Sequence, residues 1–108
     1  MRRTVLVTEA AERDLGDVYQ FIAETDSLAH AEYVLGRLLE VAENLAELPE
    51  RGAIPAELRA LGSADFRQVF FKPYRAIYRV HEDRVIIYLI ADGQPDMQAF
   101  LARRLLAT

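Results

Sequence analysis

The feature that most constrains the fold is a series of three short apolar runs between residues 65 and 104. The runs are rich in β-branched and aromatic residues. Turn-forming pairs, Lys72-Pro73 and Glu82-Asp83, separate them, and Gly93 ends the third run. Short runs of this composition, with turn residues between them, predict a meander of antiparallel strands. A β-sheet is therefore expected in the second half of the chain.

The second and third runs also indicate how their side chains are arranged. Successive side chains alternate between the two faces of a strand. In the run 74–81, one face therefore carries Tyr74, Ala76, Tyr78 and Val80, and the other carries Arg75, Ile77, Arg79 and His81. The run 84–91 is apolar on both faces, which predicts a central strand covered by other elements. A short helix from about residue 95 to residue 106 is expected to follow, with Asp96 as its cap.

The first half of the chain predicts one strand and two helices. Residues 3–7 form a short apolar run, and Thr8 is a favourable N-cap for the helix that follows. Apolar residues then recur at helical spacing in two stripes, which are interrupted at residues 25–27 and stopped by Pro49. The stripes are Ala11, Leu15, Val18, Phe21, Ile22 and Ala31, Val34, Leu35, Leu38, Ala42, Leu45, Leu48. Because the break between them is so short, the two helices are expected to form an antiparallel hairpin.

The remaining segments complete a single domain. Residues 50–57, with Gly52 and Pro55, are expected to form a loop, and residues 58–61 a short extra strand. No linker or repeat divides the 108 residues, a length that suits one domain with one core. The predicted fold is α+β over residues 1–108: an N-terminal strand and helical hairpin packed on a twisted, mostly antiparallel β-sheet, with a short C-terminal helix.

The composition and spacing exclude several classes of site. The chain has no cysteine, so it has no disulfides and no thiolate chemistry. His30 and His81 have no second ligand at metal-binding spacing, and no P-loop, dinucleotide fingerprint or nucleophile elbow is present. We therefore expect neither metal nor cofactor. No apolar run reaches the eighteen or so residues that span a membrane, and the basic start is too short for a signal peptide, so a cytoplasmic protein is expected.

The charges are distributed unevenly along the chain. Residues 1–57 carry twelve acids and five arginines, whereas residues 58–108 carry eight bases and five acids. Of the thirteen bases, twelve are arginine, whose planar guanidinium suits carboxylates, phosphates and aromatic faces. Solvated helix faces account for most of the acidic half. The basic half is either a binding surface or a set of structural ion pairs.

Several arginines lie inside the predicted strands, where charge is uncommon. Arg75 and Arg79 are four residues apart and therefore share a face, and Arg67 on the preceding strand joins them if the register allows. Two more arginines stand near the end of the last helix, where cations are favoured in any case. The candidate binding residues are Arg67, Tyr74, Arg75, Arg79, Arg103 and Arg104.

Two segments give the chain a resemblance to a known family. Residues 73–80, Pro-Tyr-Arg-Ala-Ile-Tyr-Arg-Val, and the ending Ala-Asp-Gly…Asp-Met-Gln…Leu-Ala-Arg-Arg-Leu-Leu resemble the RelE/ParE superfamily of bacterial toxins, on the ParE-like branch. The resemblance spans almost the whole chain. It implies the toxin of a type II toxin–antitoxin system, held by an antitoxin whose tail is disordered when free and wraps the toxin as helix and strand.

The same resemblance separates two activities. RelE-like members cleave mRNA and need basic residues on the strand before the Tyr-Arg strand, an arginine just after the last strand, and a Tyr or His near the C-terminal helix. At those places this chain has Gln68, Val69, Phe70, then Gln94-Pro95, then Phe100 and Leu101. Only Arg75 matches a nuclease-type position, and an arginine does not deprotonate a hydroxyl at neutral pH. No catalytic residue is therefore assigned.

The resemblance implies a ParE-like toxin that inhibits DNA gyrase by stoichiometric binding, without contacting nucleic acid directly. We expect the six candidate residues to contact the antitoxin, the target or both. The antitoxin is expected in an apolar groove flanked by Arg75, Arg79 and the C-terminal helix, with its acidic side chains on the arginines. Two alternatives stay open: a ribosome-dependent mRNA endonuclease of the RelE-like type, and a partner-binding module that has lost toxicity.

Overall fold

An open four-stranded sheet carries helices on both of its faces. The structure is a computed structural model that describes residues 2–93 and 95–106. Along the chain, the elements are β1 (Thr4–Val7), α1 (Glu9–Thr25), α2 (Leu28–Asn44), α3 (Ala56–Ala60), β2 (Arg67–Phe71), β3 (Tyr74–His81), β4 (Arg84–Ala91), α4 (Met97–Leu101) and a π-helical turn (Ala102–Leu106). The predicted α+β class is confirmed. None of the described helices is long and apolar enough to cross a membrane.

The strands lie in the order β1-β4-β3-β2, so β4 is central, as its apolar faces predicted. β2, β3 and β4 form the predicted antiparallel meander, whereas β1 runs parallel to β4, with Thr4 opposite Arg84. A parallel neighbour requires a long crossover connection. The helical hairpin begins that connection, and this places α1 and α2 over one face of the sheet.

The pairing of β3 with β4 contains a β-bulge. Ile77 lies opposite Leu89 but Tyr78 lies opposite Ile87, so Tyr88 is an additional residue in β4. A bulge of this kind changes the direction of neighbouring side chains. Tyr88 and Leu89 consequently both pack on the face of the sheet away from the hairpin.

Both hairpin helices begin at hydroxyl caps, the predicted Thr8 for α1 and Ser27 for α2. The Thr8 hydroxyl accepts a hydrogen bond from the amide of Ala11 at 3.1 Å, and the Ser27 hydroxyl accepts one from the amide of His30 at 3.0 Å. Hydroxyl caps of this type satisfy amides that have no partner within the helix. The C-terminal α4 is capped as expected too, since Asp96 Oδ1 accepts from the amide of Ala99 at 3.1 Å.

The predicted buried stripes are correct except at two positions. α2 ends at Asn44, so Leu48 lies beyond the helix and is 55% exposed. Phe21 is 62% exposed because the neighbouring Ile22 occupies the buried position of the last turn of α1. The rest of the hairpin packs on β3 and β4 in a cluster that includes Leu38, Leu45, Tyr78, Val85 and Ile87.

A second cluster lies on the opposite face of the sheet. It contains Leu58, Phe66, Ile77, Leu89, Ala91, Met97 and Leu101. The predicted strand at residues 58–61 is wrong: residues 56–60 form the helix α3. Pro55 begins this helical turn, which directs the fully buried Leu58 into the second cluster. The turn therefore covers a face that an added strand would have left open.

Candidate functional site

The strand register divides the predicted binding residues between the two faces. Arg67 lies opposite Tyr78 in the pairing of β2 with β3, so it shares the hairpin side of the sheet with Tyr74 and Tyr78. Arg75 and Arg79 project from the other face. The register therefore keeps Arg75 and Arg79 together and does not bring Arg67 or Tyr74 to them.

Arg67 fastens the loop that follows α2 to the edge of the sheet. Its Nη1 donates to the carbonyl oxygens of Gly52 at 2.7 Å and of Glu50 at 3.3 Å. Beside it, the buried Tyr78 hydroxyl donates to the carbonyl of Pro49 at 2.7 Å and accepts from the amide of Gly52 at 3.0 Å. These hydrogen bonds hold the loop in place, so Arg67 has a structural role here.

Burial raises the pKa of both buried tyrosines, Tyr74 and Tyr78. Burial raises the pKa of Tyr78 above its ordinary value, and a phenolate is disfavoured there although Gly52 donates to the oxygen. Burial also raises the pKa of Tyr74, with a smaller contribution from the charge of Asp92. Both side chains are therefore neutral at physiological pH, and neither phenolate is available there as a base.

Arg75 forms an ion pair with Glu57, an acid that the sequence analysis did not identify as its partner. Its Nη1 and Nη2 donate to the two carboxylate oxygens of Glu57 at 3.0 Å and 2.8 Å, and Nη1 also donates to Gln68 Oε1 at 2.9 Å. The hydrogen bond from Arg75 holds the pKa of Glu57 below its usual value, against the opposing effect of desolvation. A bidentate pair fixes both planar groups. α3 supplies Glu57, so the same helix that covers the second cluster also positions this pair.

Arg79 lies on the same face with an aromatic partner. The centre of its guanidinium is 6.0 Å from the centre of the Phe66 ring, and Phe66 packs edge-on against Tyr88 with ring centres 5.5 Å apart. Within the described part of the chain, no carboxylate forms an ion pair with Arg79. We call the surface formed by Glu57, Phe66, Gln68, Arg75 and Arg79 the arginine face.

The two candidate arginines near the C-terminus have different environments. Arg103 is exposed. Arg104 donates from Nη1 and Nη2 to the carboxylate of Asp14 at 3.1 Å and 2.9 Å, and it lies over the ring of Phe100 at 5.7 Å. Asp14 Oδ2 also accepts from the amide of Ile90 at 3.0 Å. Arg104 therefore holds the end of the chain against α1 and β4.

Beside the arginines, where the antitoxin groove is predicted, apolar side chains of the chain itself are buried. Leu58 from α3 and Met97 and Leu101 from α4 are buried between the arginine face and the C-terminal segment. Their burial stabilises the fold. The antitoxin contact beside Arg75 and Arg79 stays a prediction. Gln94, at which the chain departs from many ParE-like sequences, lies outside the described residues.

Sequence reasoning missed Glu57 and Asp14, the two acids that hold Arg75 and Arg104. Glu57 stood in a predicted loop, and nothing local linked it to an arginine eighteen residues away. Asp14 did carry a signal: it lies three residues after Ala11 and four before Val18, on the apolar stripe of α1. A charged residue on such a stripe is rarely buried without a partner. No group of His, Cys, Asp and Glu within residues 2–93 and 95–106 is arranged to hold a metal ion.

Comparison with known proteins agrees with this fold. The family model for the ParE toxin of the type II toxin–antitoxin system, parDE, matches residues 5–97. Toxin ParE3 of Caulobacter vibrioides is 27% identical over 100 residues, covering 93% of this chain and 96% of that protein.

Two solved structures share the architecture. The chromosomal ParDE toxin–antitoxin system from P. aeruginosa matches with a TM-score of 0.72 at 20% identity, covering 86% of this chain and 98% of that chain. The toxin–antitoxin complex RelBE2 from Mycobacterium tuberculosis matches with a TM-score of 0.63 at 23% identity, covering 86% and 100%. Because the family model covers most of the sequence, this chain belongs to the ParE toxin family of type II toxin–antitoxin systems.

Proposed function

We propose that this toxin acts by stoichiometric binding to DNA gyrase and is neutralised by a cognate antitoxin. Gyrase is the target that the ParE-like branch implies. Binding is favoured over RNA cleavage by the contacts of Arg75, the one residue that matches a nuclease-type position. Its guanidinium is already engaged by Glu57 and Gln68.

The chemistry of the arginine face supports binding over cleavage. Attack by a ribose 2′-hydroxyl needs a group that takes its proton at neutral pH. Arg75 and Arg79 cannot do so. The one carboxylate on the arginine face, Glu57, is a weak base because its pKa is lowered by Arg75. A phosphate would also have to displace Glu57 from Arg75 before it could bind there.

The same contacts refine which arginines we propose as partner-binding residues. Arg79 and Arg103 are proposed to contact the target or the antitoxin, since neither forms an ion pair within the described part of the chain. Arg67, Arg75 and Arg104 are proposed to act through the fold, because each is tied to loops or acids of its own chain. Tyr74, which is buried against the hairpin, is proposed to act in the same way.

The test is a supercoiling assay with purified gyrase and purified toxin. We expect the wild-type protein to inhibit supercoiling at near-stoichiometric ratios, and Arg79→Glu to require at least about tenfold more protein. Arg13→Glu, a charge reversal at an exposed position of α1, is the matched control and is expected to inhibit like wild type. Cleavage of ribosome-bound mRNA that is lost in Arg75→Ala would contradict the proposal in favour of a nuclease. A protein that neither inhibits gyrase nor slows growth would be a binding module without toxicity.

A further inference from the structure

A pocket of about 330 Å³ lies where the tip of the helical hairpin meets the turn between β2 and β3. Three aromatic residues line it, Phe21, Tyr33 and Phe71, and its apolar lining also includes the buried Ile22 and Val34. Small-molecule sites in proteins are concave, mostly apolar and about 300–1,000 Å³ in volume. This pocket, which we call the hairpin-tip pocket, therefore has the size and the lining of a site for a small ligand.

Two of the aromatic residues that line the hairpin-tip pocket are unusually exposed. Phe21 is 62% exposed and Tyr33 is 58% exposed. Single exposed apolar residues are common on protein surfaces, but these two come from different helices and line the same pocket. A ligand between them would remove apolar surface of both from water, which is favourable. Aromatic rings pack well against other planar rings, edge-on or offset, so a planar aromatic group suits this space.

Contacts within the chain hold the walls of the pocket in place. The rings of Tyr33 and Phe71 pack edge-on with their centres 6.1 Å apart, and the guanidinium of Arg37 lies 5.7 Å from the centre of the Phe71 ring. At the end of α1, the Thr25 hydroxyl donates to the carbonyl of Phe21 at 2.7 Å. A preformed site loses less conformational entropy on binding than a flexible one. The pocket is therefore prepared for a rigid ligand.

The charged groups of the pocket indicate the charge of its ligand. Lys72 lines the pocket, and within residues 2–93 and 95–106 it forms no ion pair. The carboxylate of Asp26, also at the pocket, is already engaged, since its Oδ2 lies 2.6 Å from His30 Nδ1. A cationic ligand would compete with His30 for Asp26, whereas an anionic one finds the free ammonium group of Lys72. The site thus favours an acid over an amine.

We propose that the hairpin-tip pocket binds a small planar aromatic acid, with its ring between Phe21 and Tyr33 and its carboxylate on Lys72. The pocket lies on the hairpin side of the sheet, and the arginine face lies on the other side. The proposal is therefore independent of the proposed target and of the antitoxin. A ligand in this pocket contacts both hairpin helices and the turn between β2 and β3, so it stabilises the folded protein by mass action.

Titration of the isotope-labelled wild-type toxin with 2-naphthoate, followed through its amide chemical shifts, is the direct test. We expect saturable shifts centred on residues 21–34 and 71–74, with a dissociation constant of about 0.1–1 mM. 2-Naphthamide, a neutral planar compound of the same size, is expected to bind at least about threefold more weakly, because it forms no ion pair with Lys72. Absence of saturable shifts in these two segments would overturn the site. Equal binding of the two compounds would overturn its preference for an acid.

Variants distinguish this pocket from weak binding to any exposed ring. Phe21→Ala removes one wall, so it is expected to weaken both compounds by at least about fivefold. The matched control is Phe70→Ala, at a ring that is 51% exposed on the other face of the sheet, and it is expected to weaken neither. Equal losses in the two variants would overturn the proposal.

The charge of Lys72 is tested separately. Lys72→Gln is expected to weaken 2-naphthoate by at least about threefold and to leave 2-naphthamide unchanged. Arg13→Gln, at an exposed position of α1 outside the pocket, is the control and is expected to change neither. Unchanged binding of 2-naphthoate by Lys72→Gln would overturn the role of Lys72. If the same amides shift on dilution without ligand, a second copy of the chain fills the pocket and the proposal is wrong.

Discussion

Asp14 and Arg104, separated by 90 residues in the sequence, form a bidentate ion pair with N–O distances of 3.1 Å and 2.9 Å. The pair is only partly exposed, and Asp14 Oδ2 also accepts from the amide of Ile90 in β4. One carboxylate thus joins α1, the central strand and the end of the chain. The C-terminal segment depends on this contact as well as on the burial of Leu101.

Replacing Asp14 is expected to loosen the C-terminal segment. Asp14→Asn removes the charge that pairs with Arg104, and we expect a loss of about 1–3 kcal/mol in the free energy of unfolding. Asp17→Asn, at an exposed position one turn further along α1, is expected to change it by less than about 0.5 kcal/mol. Urea denaturation measures both, and limited trypsin digestion reports whether Arg103 and Arg104 become easier to cut. Equal stabilities of the two variants would show that the ion pair contributes nothing.

The pair of Glu57 and Arg75 is expected to make stability depend on pH. Arg75 holds the pKa of folded Glu57 below its ordinary value of 4.5, so the unfolded chain takes up the proton first as pH falls. The stabilisation is therefore complete above about pH 4.5 and is lost as pH falls through the lower, folded pKa. Urea denaturation of wild type and Glu57→Gln at pH 7, 5, 4 and 3 is expected to give a difference that shrinks below pH 4.5.

The control for this pH series is Glu32→Gln, at an exposed position of α2. Its stability relative to wild type is expected to stay within about 0.5 kcal/mol at every pH. A difference between wild type and Glu57→Gln that is the same at pH 7 and pH 3 would contradict the linkage to Glu57.

Two glycines are expected to respond to alanine with opposite signs. A Cβ added at Gly52 would lie 2.5 Å from the carbonyl oxygen of Gln68 and 2.6 Å from the Tyr78 hydroxyl oxygen, so Gly52→Ala is expected to cost about 1–3 kcal/mol. Gly36 lies in the exposed part of α2 with nothing within 4 Å of such a Cβ. Gly36→Ala is therefore expected to stabilise by about 0.5–1 kcal/mol. Thermal melts of both variants decide the signs, and a stabilised Gly52→Ala would show that the loop can shift.

Substitutions in the hairpin region are expected to cost much more stability at buried positions than at exposed ones. Leu38 and Leu45 are 3% and 0% exposed, and truncation of either to Ala is expected to cost about 2–5 kcal/mol. Glu40 and Glu47 are exposed, and their ion pairs with Arg37 and Arg2 lie in solvent, so Glu→Ala there is expected to cost less than about 0.5 kcal/mol. Thermal melts of the four variants test this, and equal losses at Leu and Glu would contradict it.

The antitoxin is expected to recover part of the stability lost in the two leucine variants. A ligand that binds only the folded protein raises its apparent stability by mass action. Melts of Leu38→Ala and Leu45→Ala with the antitoxin present are therefore expected to move towards the wild-type value. A melt that does not change with antitoxin concentration would contradict this expectation.

Local patterns in the sequence were sufficient for the fold. Alternation and helical spacing predicted the hairpin, the meander and the caps at Thr8 and Asp96, because each depends on neighbours a few residues apart. The errors fell where tertiary packing decided the outcome. Leu58, predicted in a strand, lies in α3 because a helical turn there directs its side chain into the second cluster. Leu48 was left exposed when α2 ended a turn early.

The site was less predictable than the fold because its contacts are long-range. The sequence placed Arg75 and Arg79 on one face correctly, but the side chain that engages Arg75 comes from a segment read as a loop. The face of the sheet on which Arg67 lies depends on the register between β2 and β3, and no local pattern determines that register. The covering of this face was missed for the same reason, since α3 and α4 are too short to signal that they pack on the sheet.

The position of β1 determines when this protein becomes complete. Thr4 pairs with Arg84, so the first strand has no partner until the last strand has been synthesised. Until then the contacts that can form are the local ones of the α1–α2 hairpin and of the β2–β3 hairpin, and folding dominated by distant pairings is slow. A nascent chain on the ribosome therefore presents an unfinished sheet for most of its synthesis. This connectivity delays the completion of the sheet until β4 has been synthesised, although β1 is made first.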